Sequence, residues 1–332
     1  MTSRVFSGMR PTGKLHLGHL VGALRNWVEL QDRYECFYGI VDWHALTSEY
    51  ADPREIPANV FDNAVDWLAV GLDPERSTLM IQSLVPEHAE LHLLLSMVVP
   101  VPWLERVPTY KEQQEQVADR DLSTYGFLGY PLLQTADIVI YEADRVPVGE
   151  DQVPHLELAR EIVRRFNHLY GDLLVEPQPL LTHFPRLPGL DNRKMSKSYG
   201  NTINLSDDAE TVRQKVGRMY TDPKRVRADI PGTVEGNPVF DYHDAFNADR
   251  AEVDDLKARY RAGTVGDVEV KRCLAHAINA VLDPIRDRRA AVLARPADVL
   301  EILAEGSRKA RHLAQGTMDR VREAMKVRYE LG

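Results

Sequence analysis

The sequence predicts an α/β protein, with a doubly wound parallel sheet (Rossmann-like) followed by an all-α C-terminal part. Three observations predict it. Short apolar runs of strand length (Val5-Phe6, Cys36 to Val41, Thr78 to Ile81, Ile138 to Tyr141) are separated by helical patterns such as Ile56 to Val70. Such alternation implies parallel strands joined by helical crossovers. From about Ala209 onward the pattern is nearly all helical, with a turn-rich interruption at Asp229 to Pro238. Finally, the segments richest in chemistry follow the apolar runs, and ligands of doubly wound sheets sit beyond the C-terminal strand ends.

These patterns divide the chain into residues 1–205, carrying the sheet and a loosely patterned polar insertion near 100–129, and residues 206–332, which are helical. At 332 residues and 44% hydrophobic, the chain can bury a sizeable core in two domains. No run of apolar residues reaches membrane-spanning length, and the N-terminal residues lead straight into a strand, so a cytoplasmic protein is expected. Cys36 and Cys273 are the only cysteines and lack metal-ligand spacing, so reduced thiols and no protein-built metal site are expected. The net charge of -9 argues against a surface coated for nonspecific nucleic-acid binding, but leaves room for local basic patches.

Two segments carry the clearest chemistry. The first, Ser7-Gly8-Met9-Arg10-Pro11-Thr12-Gly13 leading into His16-Leu17-Gly18-His19, lies between the first strand and a helix expected from roughly Leu20 to Leu30. A helix N-terminus and glycine amides then face whatever the loop holds, which suits phosphate. His16 and His19 can donate N–H bonds to phosphate oxygens, and Gly18 lets a nucleotide ring approach the backbone. The second segment, Lys194-Met195-Ser196-Lys197-Ser198, brings two ammonium groups on a loop. These suit the charge that grows on a pyrophosphate leaving group. Either segment alone could be a chance helix start or a solvated loop; the pair, in this order and roughly 175 residues apart, points to nucleotide chemistry.

The middle of the chain supplies a second constellation. A helix opening at Tyr130 places Tyr130, Gln134 and Asp137 on one face. A carboxylate on an otherwise apolar face needs a donor, and an indole N–H or a phenol O–H would serve. Further on, Val146 and Val148 can wall an apolar ring pocket, Gly149 permits close backbone approach, and Asp151 can accept from ribose hydroxyls. Read blandly, the same stretches are a hydrated polar helix start and an ordinary strand-to-helix turn.

The paired signatures resemble those of the class I aminoacyl-tRNA synthetases. Phe6-Ser7-Gly8, Gly39 to His44, Tyr130 to Asp137 and Val146 to Gln152 sharpen the resemblance to the bacterial tryptophanyl-tRNA synthetases, over nearly the whole chain. That resemblance implies an ATP-dependent tryptophan–tRNA ligase with Mg2+ held largely by the phosphates and water. Asp137 would take the indole N–H, with Phe6, His44, Val146 and Val148 around the ring and Tyr130 and Gln152 near the amino and carboxyl groups. ATP would lie across Arg10, Pro11, Thr12, Gly18, His19, Gly149, Glu150 and Asp151, with Lys111, Lys194 and Lys197 meeting its phosphates. It further implies tRNA(Trp) and L-tryptophan as partners, a homodimer, no membrane association, and a helical anticodon-binding domain over 206–332.

Three departures from the family pattern stand out, at Arg10, at His16 with His19, and at Gln134. Many members carry Gln at Arg10, which leaves open whether this side chain meets the amino acid, ATP or both. Many have Thr and Asn where this chain has His16 and His19. Gln134 makes Tyr-x-x-x-Gln-x-x-Asp also resemble the tyrosyl-tRNA synthetases, so tyrosine is the alternative substrate; a noncatalytic synthetase-like binding protein and a shorter nucleotidyltransferase are alternatives of other kinds. At the C-terminal end Arg308, Lys309, Arg311, Arg320, Arg322, Lys326 and Arg328 crowd together as a solvated face or an RNA-reading one. On the second reading, reversing charge at Arg311, Arg322 and Lys326 is expected to impair transfer to tRNA and spare amino-acid activation.

Overall fold

The computed structural model describes residues 3–107, 122–149, 152–181, 187–195, 199–225 and 227–329. Its centre is a five-stranded sheet in the order β3-β2-β1-β4-β5, parallel throughout. The strands are β1 (Arg4–Met9), β2 (Glu35–Ile40), β3 (Ser77–Ile81), β4 (Arg145–Val148) and β5 (Gln178–Leu181). Cys36 through Ile40 are buried without alternation, as a central parallel strand covered on both faces requires. The chain winds from β1 to β3 on one side and returns through β4 to β5 on the other. The crevice at that change of direction opens above β1 and β4.

Helix α1 runs over Leu17–His19, passes through a π turn at Leu20–Leu24 and continues over Arg25–Leu30. It starts earlier than the periodicity suggests, because His16 caps it with a side-chain nitrogen that accepts from the Gly18 N–H. Trp27 on this helix stacks on Tyr38 of β2 at 4.5 Å and meets the edge of Trp67. Trp67 belongs to α3 (Ile56–Val70), which follows α2 (Asp42–Glu49) and ends at Gly71, whose φ of 113° only glycine adopts without strain. Helices α4 (Glu87–Ser96), α5 (Val101–Glu105), α6 (Tyr125–Leu128), α7 (Tyr130–Val139) and α8 (Val153–Tyr170) complete the sheet-bearing part.

One expected strand is absent. Ile138 and Val139 end α7, with Ile140 and Tyr141 just beyond, and all four are buried. A short apolar run at the buried end of a helix cannot be told from a strand by periodicity alone. The strand is instead Arg145–Val148, read from the sequence as a pocket wall. Strand β5 escaped notice because Gln-Pro-Leu-Leu carries a proline, tolerated there because the strand is the sheet's edge.

The helical C-terminal part comprises α9 (Ala209–Gly217), α10 (Pro238–Phe246), α11 (Arg250–Ala262), α12 (Asp267–Leu293) and α13 (Pro296–Ala324). The last helix lies against β3, the other edge of the sheet. Gly306 makes the approach possible, since a Cβ there would stand 1.9 Å from the Leu79 carbonyl oxygen. Next to it Ser307 accepts a hydrogen bond from the Ile81 N–H at 3.2 Å, pairing an edge amide that would otherwise have no strand partner. Among the described residues no helix is long and apolar enough to cross a membrane.

Candidate active site

A cavity of about 310 Å³ opens at the change of direction in the sheet. Its walls include Phe6 from β1, His44 from α2, Tyr130, Gln134 and Asp137 from α7, Val146 and Val148 from β4, and Gln152 at the start of α8. These are the residues the sequence assigns to an amino acid, drawn together from distant parts of the chain. Arg10 lines the same cavity, within electrostatic reach of Tyr130 and Glu49. Phe6 is the outer ring of a stack with Tyr141 at 5.6 Å, and Tyr141 stacks in turn on Phe37 at 4.9 Å.

Asp137 is the most constrained group in the site, at 1% exposure. An ionised carboxylate can only accept, so every polar neighbour must donate to it. His44 Nε2 donates to Oδ2 at 2.8 Å, His88 Nδ1 to Oδ1 at 2.6 Å, and Gln82 Nε2 reaches both oxygens at 2.8 and 2.9 Å. Burial alone would raise the Asp137 pKa. The His88 charge and the hydrogen bonds from His44 and His88 outweigh it and bring the carboxyl down to about 2. His88 is itself fully buried, and its Nε2 lies 2.6 Å from the Tyr141 hydroxyl.

The donors Gln82 and His88, and Tyr141 behind them, are missing from the sequence reading. It calls for a partner to a buried carboxylate but looks for it in the ligand. The partners lie 55 and 49 residues away in the chain, and nothing local marks them. Phe127, Thr47 and His155 also line the cavity unforeseen.

Beside the cavity stands the loop that ends in α1. His16 Nδ1 accepts from the Gly18 N–H and His19 Nδ1 accepts from the His16 N–H, each at 3.1 Å. Because both Nδ1 atoms accept, a neutral ring carries its proton on Nε2, the arrangement that lets each imidazole donate outward. The rings lie 3.8 Å apart. Pro11 is buried and Thr12 half-buried in the preceding turn, where the Thr12 N–H bonds to the Arg10 carbonyl.

The two signatures meet. A Cβ on Gly18 would stand 2.7 Å from Met195 Sδ, so the absence of a side chain there lets the second segment pack on the first. The Leu17 N–H bonds to the Ile203 carbonyl and the Leu205 N–H to the Leu15 carbonyl, tying the two segments by backbone. Lys194 is exposed and its carbonyl accepts from Asn201. Gly149 follows β4 at the mouth of the crevice. Lys111, Glu150, Asp151, Ser196, Lys197 and Ser198 lie outside the described residues.

Three residues of the basic C-terminal group reach back to acidic side chains elsewhere in the chain. Arg311 pairs with the buried Glu87 at 3.0 Å, Arg322 with Glu90 at 2.7 Å, and Arg320 with Glu142, all on the sheet-bearing part. Arg308 pairs with Glu301 and Glu305 within α13.

Comparison with known proteins agrees with this architecture. Residues 1–283 match the family of tRNA synthetases class I (W and Y). A tryptophan–tRNA ligase from Thermotoga maritima is 50% identical over 327 residues, covering 98% of this chain and 100% of its own. One from Aquifex aeolicus is 44% identical over 393 residues, with 98% of this chain and 100% of its own covered. The tryptophanyl-tRNA synthetase of Campylobacter jejuni, solved in complex with ADP and tryptophan, superposes with a TM-score of 0.86 at 32% identity, covering 97% of this chain and 99% of that one. The cavity, the two adjoining signatures and the full-length matches together place the chain among the class I tRNA synthetases of the W and Y group, to which it belongs.

Proposed function

We propose that this chain is a tryptophan–tRNA ligase, which activates tryptophan with ATP and transfers it to tRNA(Trp). The observation that carries the reading is the buried, ionised Asp137 at the base of an aromatic- and valine-lined cavity beside a phosphate-suited helix start. Full-length relatives that are tryptophan–tRNA ligases support it.

The chemistry needs positioning and charge more than a protein nucleophile. A tryptophan carboxylate oxygen attacks the α-phosphorus of ATP; the bond to the β-phosphate oxygen breaks, and pyrophosphate leaves. A hydroxyl of the terminal ribose of tRNA then attacks the acyl carbon, and AMP departs. In our reading Asp137 accepts the indole N–H, and Phe6, His44, Val146 and Val148 enclose the ring. Tyr130, Gln134 and Gln152 face the amino and carboxyl end. Arg10, Pro11, Thr12, His16, Gly18, His19, Gly149, Glu150, Asp151 and the segment Lys194 to Ser198 hold ATP. His19, Lys111, Lys194 and Lys197 stabilise the departing pyrophosphate. Mg2+ travels with ATP as part of the substrate, held by phosphate and water.

We assign residues 1–205 to catalysis and 206–332 to reading the tRNA, and place the protein in the cytoplasm as a homodimer. Support for pairing comes from large apolar side chains left exposed between α4 and α6: Leu93 is 53% and Met97 66% exposed, and Val101 and Tyr125 are exposed as well. The test is charging of tRNA(Trp) and tRNA(Tyr) with each amino acid in turn. Tryptophan on tRNA(Trp) is expected, and tyrosine on tRNA(Tyr) would establish the tyrosyl alternative.

A further inference from the structure

The hydrogen bonds that fix Asp137 come from Gln82 and His88, and His88 is held from behind by Tyr141. Each of these groups has a chain neighbour gripped by the C-terminal helix. Ser307 of α13 accepts from the N–H of Ile81, the residue before Gln82. Arg311 donates to Glu87, the residue before His88. Arg320 pairs with Glu142, the residue after Tyr141. Gly306 rests on the Leu79 carbonyl, on the strand that leads to Gln82.

We infer that α13 is a positioning element for the amino-acid pocket: Ser307, Arg311 and Arg320 hold the backbone from which Gln82, His88 and Tyr141 orient Asp137. None of the three touches the cavity, so they act through other residues. The inference rests on the reading of that cavity as the tryptophan site. Its consequence is directional: a shift of α13 moves the donors of the recognising carboxylate and leaves the ATP loop after β1 untouched. A helix of the part assigned to tRNA thereby sets how tightly the amino acid is held.

Of the two ion pairs, that of Arg311 with Glu87 has the buried carboxylate. Glu87 is 5% exposed, and its Oε2 has no hydrogen-bond partner among the described residues, so loss of Arg311 leaves a buried carboxylate without its countercharge. That pushes α4, and His88 with it, out of register.

The experiment compares the full-length wild type with Ser307→Ala, Arg311→Met, Arg311→Lys and the control Arg295→Met. Arg295 pairs with Asp298 at the start of α13 and reaches none of these neighbours. Tryptophan-dependent ATP–pyrophosphate exchange is measured without tRNA, alongside thermal unfolding. Arg311→Met is expected to raise the KM for tryptophan about fivefold or more while the KM for ATP stays within about twofold. Ser307→Ala should shift it in the same direction by less, Arg311→Lys should restore most of the loss, and the control should match wild type.

Equal rises in both Michaelis constants would mean general loosening and overturn the inference, as would an unchanged KM for tryptophan in Arg311→Met. Should Arg311→Met fail to fold, Ser307→Ala decides by the same ratio of Michaelis constants. A wild type without tryptophan-dependent exchange would instead defeat the reading of the pocket itself.

Discussion

Asp137 concentrates the argument at the scale of single residues. Its carboxylate already accepts from His44, Gln82 and His88, so the protein fixes its charge and orientation before any ligand arrives. Asp137→Asn would turn an amide donor toward at least one of those donors as well as remove the charge. The expected loss is about 1.5–3 kcal/mol in tryptophan use, with the KM for ATP little changed. Steady-state exchange kinetics check it, and an unaltered response to tryptophan would make Asp137 structural only. Lys197→Ala acts on another term. A charge engaged chiefly as pyrophosphate departs should slow adenylate formation about a hundredfold in single-turnover kinetics, with substrate dissociation constants nearly unchanged. Weakened ATP binding at a normal rate would move Lys197 from catalysis to binding. The cavity wall was legible in the sequence because Tyr130, Gln134 and Asp137 share a helix face and the valines of β4 alternate. Gln82 and His88 were not, because their role exists only where β3, α4 and α7 converge.

Among elements, two of the joints between the helical C-terminal part and the sheet-bearing part can be tested separately. The first is the crossing of α13 over β3. Gly306→Ala would drive a methyl into the Leu79 carbonyl, which is backbone and cannot step aside. Denaturant unfolding should show a loss of about 3 kcal/mol; a loss below about 0.5 kcal/mol would mean that the helix is not seated on that strand. The second joint is α12 against α3, where Arg289 pairs with Asp62 and Asp66 and Arg288 donates to the Ala69 carbonyl. Burial raises the Asp66 pKa to about 6, against the pull of Arg289. Between about pH 4 and 6 the folded state therefore holds a proton that the unfolded chain has released. The stability this contributes is complete below the ordinary carboxylate range, near pH 4, and is lost as pH rises through about 6, by about 3 kcal/mol. Measuring unfolding free energy for wild type and Asp66→Asn between pH 4.5 and 7 isolates it; parallel curves would refute the assignment. These joints were illegible for one reason. Periodicity reports that a helix has a buried face and does not report what the face meets. The same ambiguity turned the end of α7 into an expected strand, whereas α3, bounded by Pro57 and Gly71, was read with its observed limits.

In the molecule as a whole, the parallel pairing of β1, β2 and β3 and the succession of helices after Ala209 follow from the order of apolar runs, whereas β4 was read as a pocket wall and β5 was not read at all. The attachment of α13 revises one expectation. Reversing Arg311, Arg322 and Lys326 together was expected to spare amino-acid activation, but Arg311 and Arg322 fasten α13 to α4, so activation and transfer to tRNA should fall together. Lys309 and Lys326 are better placed to probe RNA binding alone, and salt dependence of tRNA affinity is the measure that separates phosphate contact from structural damage.

On the proposed reading, one cavity, with Asp137 at its base, selects tryptophan for attack on ATP. ATP–pyrophosphate exchange in the presence of each of the twenty amino acids tests it most directly, because it needs no RNA and reads recognition and chemistry at one site. Strong exchange with tryptophan and little with tyrosine is the predicted result, since a site built around one buried polar contact discriminates sharply when that contact is left unmade. Exchange driven equally by tyrosine, or by no amino acid at all, would contradict it.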